Sequence, residues 1–204
     1  MTVKAGRSQF KLSCLPTSDF PELGSGELPT SFGIPAGDLR ALIDRTKFAM
    51  STEETRYYLN GIYLHEADKD GVKVLRAVAT DGHRLARFEM PLPAGAENMP
   101  GVILPRKAVA ELRKLVEEAG DAIKIDLSES KIRFSFDHII LTSKLIDGTF
   151  PDYQRVIPQG NDRVLEVNPA LLSRAVDRVS TVSTEKTRAI KLTLNGKNLI
   201  LSAN

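Results

Sequence analysis

Three stretches of the chain share one alternation of apolar and polar positions. Phe32-Gly-Ile-Pro35, Val102-Ile-Leu-Pro105 and Val164-Leu-Glu-Val-Asn168 each read as a short apolar strand running through Pro or Asn into a helix. Leu39, Leu42 and Ile43 follow the first opener, Val109, Leu112 and Val116 the second, and Leu172, Val176 and Val179 the third. Spacings of three, four and seven line one helix face, and Pro35 and Pro105 stand where a helix start tolerates proline. The openers recur roughly every 65 residues, a period that suits one supersecondary unit repeated.

Strands follow each helix. Leu59–Glu66, Val74–Thr80 and Arg84–Met90 form one set, and Ile123–Leu127, Lys131–Phe136 and His138–Leu145 the next. Most alternate apolar and polar, as half-buried antiparallel strands do, so the repeated unit is β-α-β-β-β and the fold class is α+β. A longer period appears where Ser13-Cys-Leu-Pro-Thr-Ser-Asp-Phe-Pro21 matches Ser143-Lys-Leu-Ile-Asp-Gly-Thr-Phe-Pro151 at a separation of 130 residues. If two units make one domain, residues 1–21 are the last strand of a preceding domain, 22–151 a complete one, and 152–204 the first half of a third. The chain then reads as a fragment cut inside its first and last domains. Glu22–Ser31, polar and carrying Gly and Pro, suits a joint, and linker is the favoured reading of its Gly-Ser-Gly over a phosphate loop.

Composition bounds the rest. With 204 residues, 42% of them hydrophobic and 26% charged, the chain is globular. The single Cys14, read as a structural thiol in an alternating strand, excludes a disulfide framework and a cysteine-rich zinc site. No signal core or membrane span is apparent, and the expected location is the cytoplasm. A net charge of +2 gives no global basic signature. Its distribution does more: segments 34–50, 105–119 and 168–188 carry 11 basic and 7 acidic residues, so the remainder is net acidic. Arg40 with Lys47, Arg106 with Arg113, Lys107 with Lys114, and Arg174 with Arg178 fall at helical repeats, each pair on a face pointing away from the apolar stripe. One such face is ordinarily just a solvated face. Three of them suit a shared polyanion, and without a base-reading cluster the partner expected is double-stranded DNA held by its backbone.

One stretch, Ala79-Thr-Asp-Gly-His-Arg-Leu-Ala86, places an acid, an imidazole and a guanidinium within four residues. It could belong to a metal-independent hydrolase using Asp81 and His83. Against that, Asp-Gly between alternating strands is the signal for a two-residue type I′ hairpin, which puts His83 and Arg84 at the start of the outgoing strand. No nucleophile motif or clustered metal ligands accompany it, since His65, His83 and His138 lie on separate expected strands. No metal and no cofactor is expected.

"RYYLNG" (Arg56–Gly61), "ATDGHRLA" (Ala79–Ala86), "LPRKAVAEL" (Leu104–Leu112) and "SKLIDGTFPDYQRVIP" (Ser143–Pro158), in this order, closely resemble the bacterial DNA polymerase III β subunit, the sliding-clamp family. The resemblance implies a DNA clamp fold, in which β-α-β-β-β units put antiparallel sheets outside and helices along the lining of a ring. It implies a noncatalytic processivity factor, closed as a homodimer around duplex DNA. Its partners would be the DNA polymerase III catalytic subunit, the clamp loader and other proteins with clamp-binding peptides. The peptide pocket would include Leu59, Thr80, Gly82, His83, Arg84, Leu85, Pro151, Arg155 and Val156. The DNA-facing set would be Arg40, Lys47, Arg106, Lys107, Arg113, Lys114, Arg174 and Arg178, with Tyr57 and Tyr58 near the strand or the pocket edge. A frequently bulky apolar position of the family pocket is Thr187 here, and the carboxyl-terminal part that completes that pocket lies beyond residue 204 of the pattern.

Overall fold

The computed structural model describes residues 1–19, 26–120, 122–182 and 189–203. Phe20, Pro21, the proposed joint at 21–22 and Thr187 lie outside the described residues. The chain divides into two compact units, Met1–Pro151 and Asp152–Asn204.

In the first unit, β1 (Thr2–Ala5) and β2 (Ser8–Lys11) form an exposed hairpin. Cys14 lies beyond β2 in an irregular, exposed segment rather than in a strand, its Sγ 3.7 Å from the Leu12 carbonyl oxygen. The two β-α-β-β-β repeats follow. The first is β3 (Thr30–Pro35), α1 (Ala36–Asp44), β4 (Gly61–Lys69), β5 (Val72–Thr80) and β6 (Leu85–Pro91). The second is β7 (Val102–Pro105), α2 (Arg106–Leu115), β8 (Ala122–Leu127), β9 (Lys131–Phe136) and β10 (Ile139–Lys144).

The repeats are interlocked. Each opening strand joins the edge of the three-stranded sheet of the other repeat, β3 pairing with β8 and β7 with β4, giving sheets ordered β10-β9-β8-β3 and β6-β5-β4-β7. Both crossings are antiparallel, with Ile34 opposite Ile123 and Ile62 opposite Leu104. Neither repeat closes a sheet of four without the other, so the folding unit is the pair.

One core runs through both sheets and both helices. Leu39, Leu42 and Ile43 of α1 and Val109 and Leu112 of α2, at the spacings read from the sequence, bury against Ile34, Ile62, Leu75, Ile123, Ile125 and Phe134. Removing such a side chain from water contributes about 1.5–3 kcal/mol, which explains why these helices form although Pro35 and Pro105 give their first turns no side-chain cap.

In the second unit, α3 (Pro169–Ser180) is capped by Asn168, whose side chain accepts from the main-chain N–H groups of Ala170 and Leu171 at 3.0 and 3.2 Å. β11 (Ile190–Asn195) and β12 (Asn198–Ala203) form a hairpin. The strand expected over Val164–Val167 does not form. A strand needs a hydrogen-bonded neighbour, and this stretch pairs with none among the described residues, leaving Val164 and Leu165 exposed.

Candidate functional site

The tip of the β5–β6 hairpin carries the polar triplet. Ala79 faces Ala86 and Thr80 faces Leu85 across the ladder, so the connection is the four-residue loop Asp81–Arg84. The two-residue type I′ turn expected at Asp81-Gly82 lies instead at Asp70-Gly71, between β4 and β5, where φ is +54° and +81°. At the hairpin tip only Gly82 has positive φ, +88°, and His83 and Arg84 belong to the loop, not to the outgoing strand.

Side-chain hydrogen bonds give that loop its shape. The Asp81 Oδ1 accepts from the main-chain N–H of His83 and of Arg84, both at 3.0 Å, and its Oδ2 accepts from the Arg84 Nε at 3.0 Å. Thr80 Oγ1 accepts from the Gly82 N–H at 3.1 Å and donates to the Arg84 carbonyl at 2.8 Å. The His83 amide, then that of Arg84 and its guanidinium, hold the Asp81 carboxyl below the usual carboxylate range against the opposing effect of burial. Such a carboxylate is a poor general base, and it bonds the backbone of His83, not its ring. The geometry gives the hydrolase reading no support. Among the described residues, no group of three His, Cys, Asp or Glu side chains is placed to hold a metal ion.

Two neighbours of the loop were not apparent from sequence. Arg56, ion-paired with Glu53, brings its guanidinium to within 2.5 Å of where a Cβ on Gly82 would lie. Phe48, on the 3-10 turn Lys47–Ala49, holds its ring 5.7 Å below the Arg84 guanidinium carbon. A signal for the first was the three-residue spacing of Glu53 and Arg56. For the second it was Phe48 standing out of phase with the apolar stripe of α1.

The remaining residues expected at the peptide pocket occupy different settings. Leu59 is buried at the end of the 3-10 segment Glu54–Leu59, 4% exposed, so it backs a surface rather than forming one. Leu85 is half-buried at the start of β6, and Pro151 is exposed at the end of the first unit. Arg155 and Val156 belong to the second unit, on the turn Tyr153–Val156; Arg155 pairs with Asp152 at 2.9 Å and Val156 is exposed. Tyr57 and Tyr58 meet edge to face at 5.7 Å, beside Gly148.

The basic set also divides. Arg106 and Lys107 are exposed at the start of α2 and line a cleft of about 380 Å³ with Ser51, Thr52, Asn60 and Ala110. Neither is in an ion pair among the described residues. Lys47 is not on the α1 face with Arg40, because α1 stops at Asp44 and Thr46 Oγ1 turns back to the Leu42 carbonyl at 2.7 Å; Lys47 pairs with Asp44 at 2.6 Å. Arg40 is half-buried, with its Nε enclosed and unpaired. Arg113 lies between Asp44 and Glu117, and Lys114 pairs with Glu111. Arg174 and Arg178 are exposed on α3, the former also donating to the Ala170 carbonyl at 3.3 Å. No helix among the described residues is long and apolar enough to cross a membrane.

Comparison with known proteins adds a family to this geometry. The family model for the DNA polymerase III beta subunit, central domain, matches residues 33–152, and that for its C-terminal domain matches residues 154–204. A beta sliding clamp of Caulobacter vibrioides is 50% identical over 202 residues, covering 99% of this chain and 54% of the relative. That of Escherichia coli K12 is 39% identical, covering 100% and 54%. Among solved structures, a Bartonella birtlesii DnaN sliding clamp bound to griselimycin superposes with a TM-score of 0.89 at 56% identity, over 98% of this chain and 54% of that one. A Caulobacter crescentus beta sliding clamp crystallised with PEG gives 0.91 at 51% identity, over 98% and 53%. The chain thus spans about half the length of the curated relatives it matches.

Proposed function

Because the chain belongs to the DNA polymerase III beta subunit family, we propose that it serves as part of a sliding clamp, a noncatalytic processivity factor of DNA replication. Residues 1–21 supply the end of a first clamp domain, 22–151 the central domain, and 152–204 the first half of a third. The observation that carries the clamp reading is the match of two successive domain models, in order, over residues 33–152 and 154–204.

In this reading the complete protein is a homodimeric ring in the cytoplasm. It holds the DNA polymerase III catalytic subunit to its template by topology, so that weak and sequence-independent phosphate contacts are enough. Arg106 and Lys107, exposed at the start of α2 and in no ion pair among the described residues, are the strongest contributors from this chain. Arg174 and Arg178 add to them, as do Arg40, Lys47 and Lys114 to a smaller degree, while Arg113 is engaged elsewhere. Such contacts permit sliding because every phosphate presents the same charge.

The polymerase, the clamp loader and other partners dock through a short peptide at the hairpin tip. In the first unit, Leu85 and Pro151 provide apolar contact with Leu59 buried behind the surface, Thr80 and Gly82 shape the wall, and His83 and Arg84 orient polar peptide groups. An apolar surface with few directing groups suits a short linear motif.

The test is a chimera in which this chain replaces the matching half of the Caulobacter vibrioides clamp. Placed on circular duplex DNA by the clamp loader, it should stay bound at salt that strips an electrostatic binder and leave once the circle is cut. Loss that depends on salt and not on DNA topology overturns the proposal.

A further inference from the structure

The 3-10 turn Lys47–Ala49 rests on the loop end of the β5–β6 hairpin, and the residues there are small. Ala49 and Ala79 are fully buried and Ala86 nearly so, with Met50 packed against them. Ala79 and Ala86 are also directly opposite in the ladder. With no bulk beyond a methyl at three adjoining positions, the turn lies close against the strands. Phe48 is carried to the hairpin tip, where the residue is 55% exposed.

It lies under Arg84. The guanidinium carbon is 5.7 Å from the ring centroid, within the range of cation–π attraction. On the other side, Asp81 Oδ2 takes the Arg84 Nε at 3.0 Å. One carboxylate and one ring therefore fix an arginine whose side chain is still 59% exposed. Its terminal amino groups, which make no hydrogen bond among the described residues, are left for a ligand. A long side chain held in advance gives up less rotamer freedom on binding.

The geometry points to Phe48 as a positioning residue for Arg84: its ring orients the guanidinium to receive an oxygen acceptor, a carboxylate or main-chain carbonyl, of a bound peptide. This rests on the hairpin tip being the peptide-binding surface proposed above.

Two measurements on the chimeric clamp test it separately from that surface. The first needs no peptide. By NMR, the Arg84 side-chain N–H signals should carry a ring-current shift that Phe48→Tyr keeps and Phe48→Leu removes; signals unmoved by Phe48→Leu overturn the positioning role. The second is anisotropy with a labelled carboxyl-terminal peptide of the Caulobacter vibrioides DNA polymerase III catalytic subunit. Phe48→Leu should weaken binding about two- to fivefold and Phe48→Tyr should not. In an Arg84→Ala background, Phe48→Leu should cost nothing further. An equal loss in both backgrounds overturns the proposal, because Phe48 then acts without Arg84. If the ring-current shift is present but the peptide fails to bind the unaltered chimera, the docking surface itself is wrong, and with it the role of the oriented arginine.

Discussion

Arg113 of α2 and Asp44 at the end of α1, 69 residues apart, are joined by Arg113 Nε at 2.8 and 3.0 Å from the two carboxylate oxygens. The contact ties the helix of one repeat to that of the other. Lys47 reaches the same carboxylate and Glu117 the same guanidinium. Arg113 is thus an interhelix clasp, though its seven-residue spacing from Arg106 suggested a DNA-facing pair.

Loss of the clasp should lower stability in a pH-dependent way. The bond from Arg113 holds the Asp44 carboxyl below its ordinary range, reinforced by Lys47 and opposed by burial. A carboxyl depressed in the folded state stabilises it above the unfolded pKa, about 3.9, and that contribution fades as pH falls through the lower folded value. Arg113→Ala should lower Tm by a few degrees near neutral pH, with the gap to wild type closing below about pH 4. Asp44→Ala should produce a similar loss, and the double variant should lose less than the sum, measured by thermal unfolding of the chain.

Gly71 and Gly82 both have positive φ, at +81° and +88°, yet their surroundings differ. Open space surrounds Gly71, whereas a Cβ on Gly82 meets the Arg56 guanidinium. Each change to Ala should cost about 1–2 kcal/mol for the left-handed conformation. Only Gly82→Ala should also displace Arg56 and weaken peptide binding. Denaturant unfolding alongside peptide titration separates the two effects.

Much of this architecture was legible because it is periodic. Val109, Leu112 and Val116 mark α2, and Lys131–Phe136 alternates as β9 does, since burial of one face imposes the period. What was hidden depends on contacts between distant segments. The exchange of β3 and β7 leaves no local trace, because an opening strand has the same apolar pattern whichever sheet receives it. Val164–Val167 has that pattern too and pairs with nothing described. At the hairpin tip, Asp81-Gly82 and Asp70-Gly71 are the same dipeptide. They differ in that Asp81 spends its carboxylate on His83 and Arg84, which opens the turn to four residues. Arg113 and Lys107 likewise looked alike until Asp44 was brought beside one of them.

Gly61, at the start of β4, lies close against β7. A Cβ there would collide with the Leu104 carbonyl oxygen, and backbone on a paired strand cannot yield as a side-chain end does. The carbonyl of the preceding residue, Asn60, accepts the Arg106 N–H at 2.8 Å, so the strain falls on the start of α2. Gly61→Ala should destabilise the chain by more than about 2 kcal/mol. An unfolding midpoint within error of wild type would contradict this.

His65 stacks on Tyr63 at 4.5 Å, and Tyr63 stacks in turn on Phe150 at 4.9 Å. Burial lowers the His65 pKa, the Arg76 charge lowers it further, and the contact with the Glu66 carbonyl acts in the opposite direction. The folded state resists a proton that the unfolded chain accepts near its ordinary pKa of about 6.5. The contribution of neutral His65 is therefore full above that pH and declines as pH falls through the folded value. Between about pH 7.5 and 5.5 the urea midpoint should decrease, and His65→Gln should flatten that decrease.

Arg106 and Lys107 should account for more DNA affinity than the paired cations of the same helix. An arginine already held by two carboxylates must break or share those bonds to reach a phosphate, whereas an unpaired cation gives up only water and diffuse ions. Each phosphate neutralised on B-DNA adds about 0.9 to the slope of log K against log salt. In the chimeric clamp, Arg106→Ala and Lys107→Ala should each flatten the slope for a short duplex by roughly that amount. Arg113→Ala should leave the slope unchanged while still lowering Tm. If all three variants flattened the slope equally, the clasp would open on DNA and Arg113 would return to the DNA-facing set.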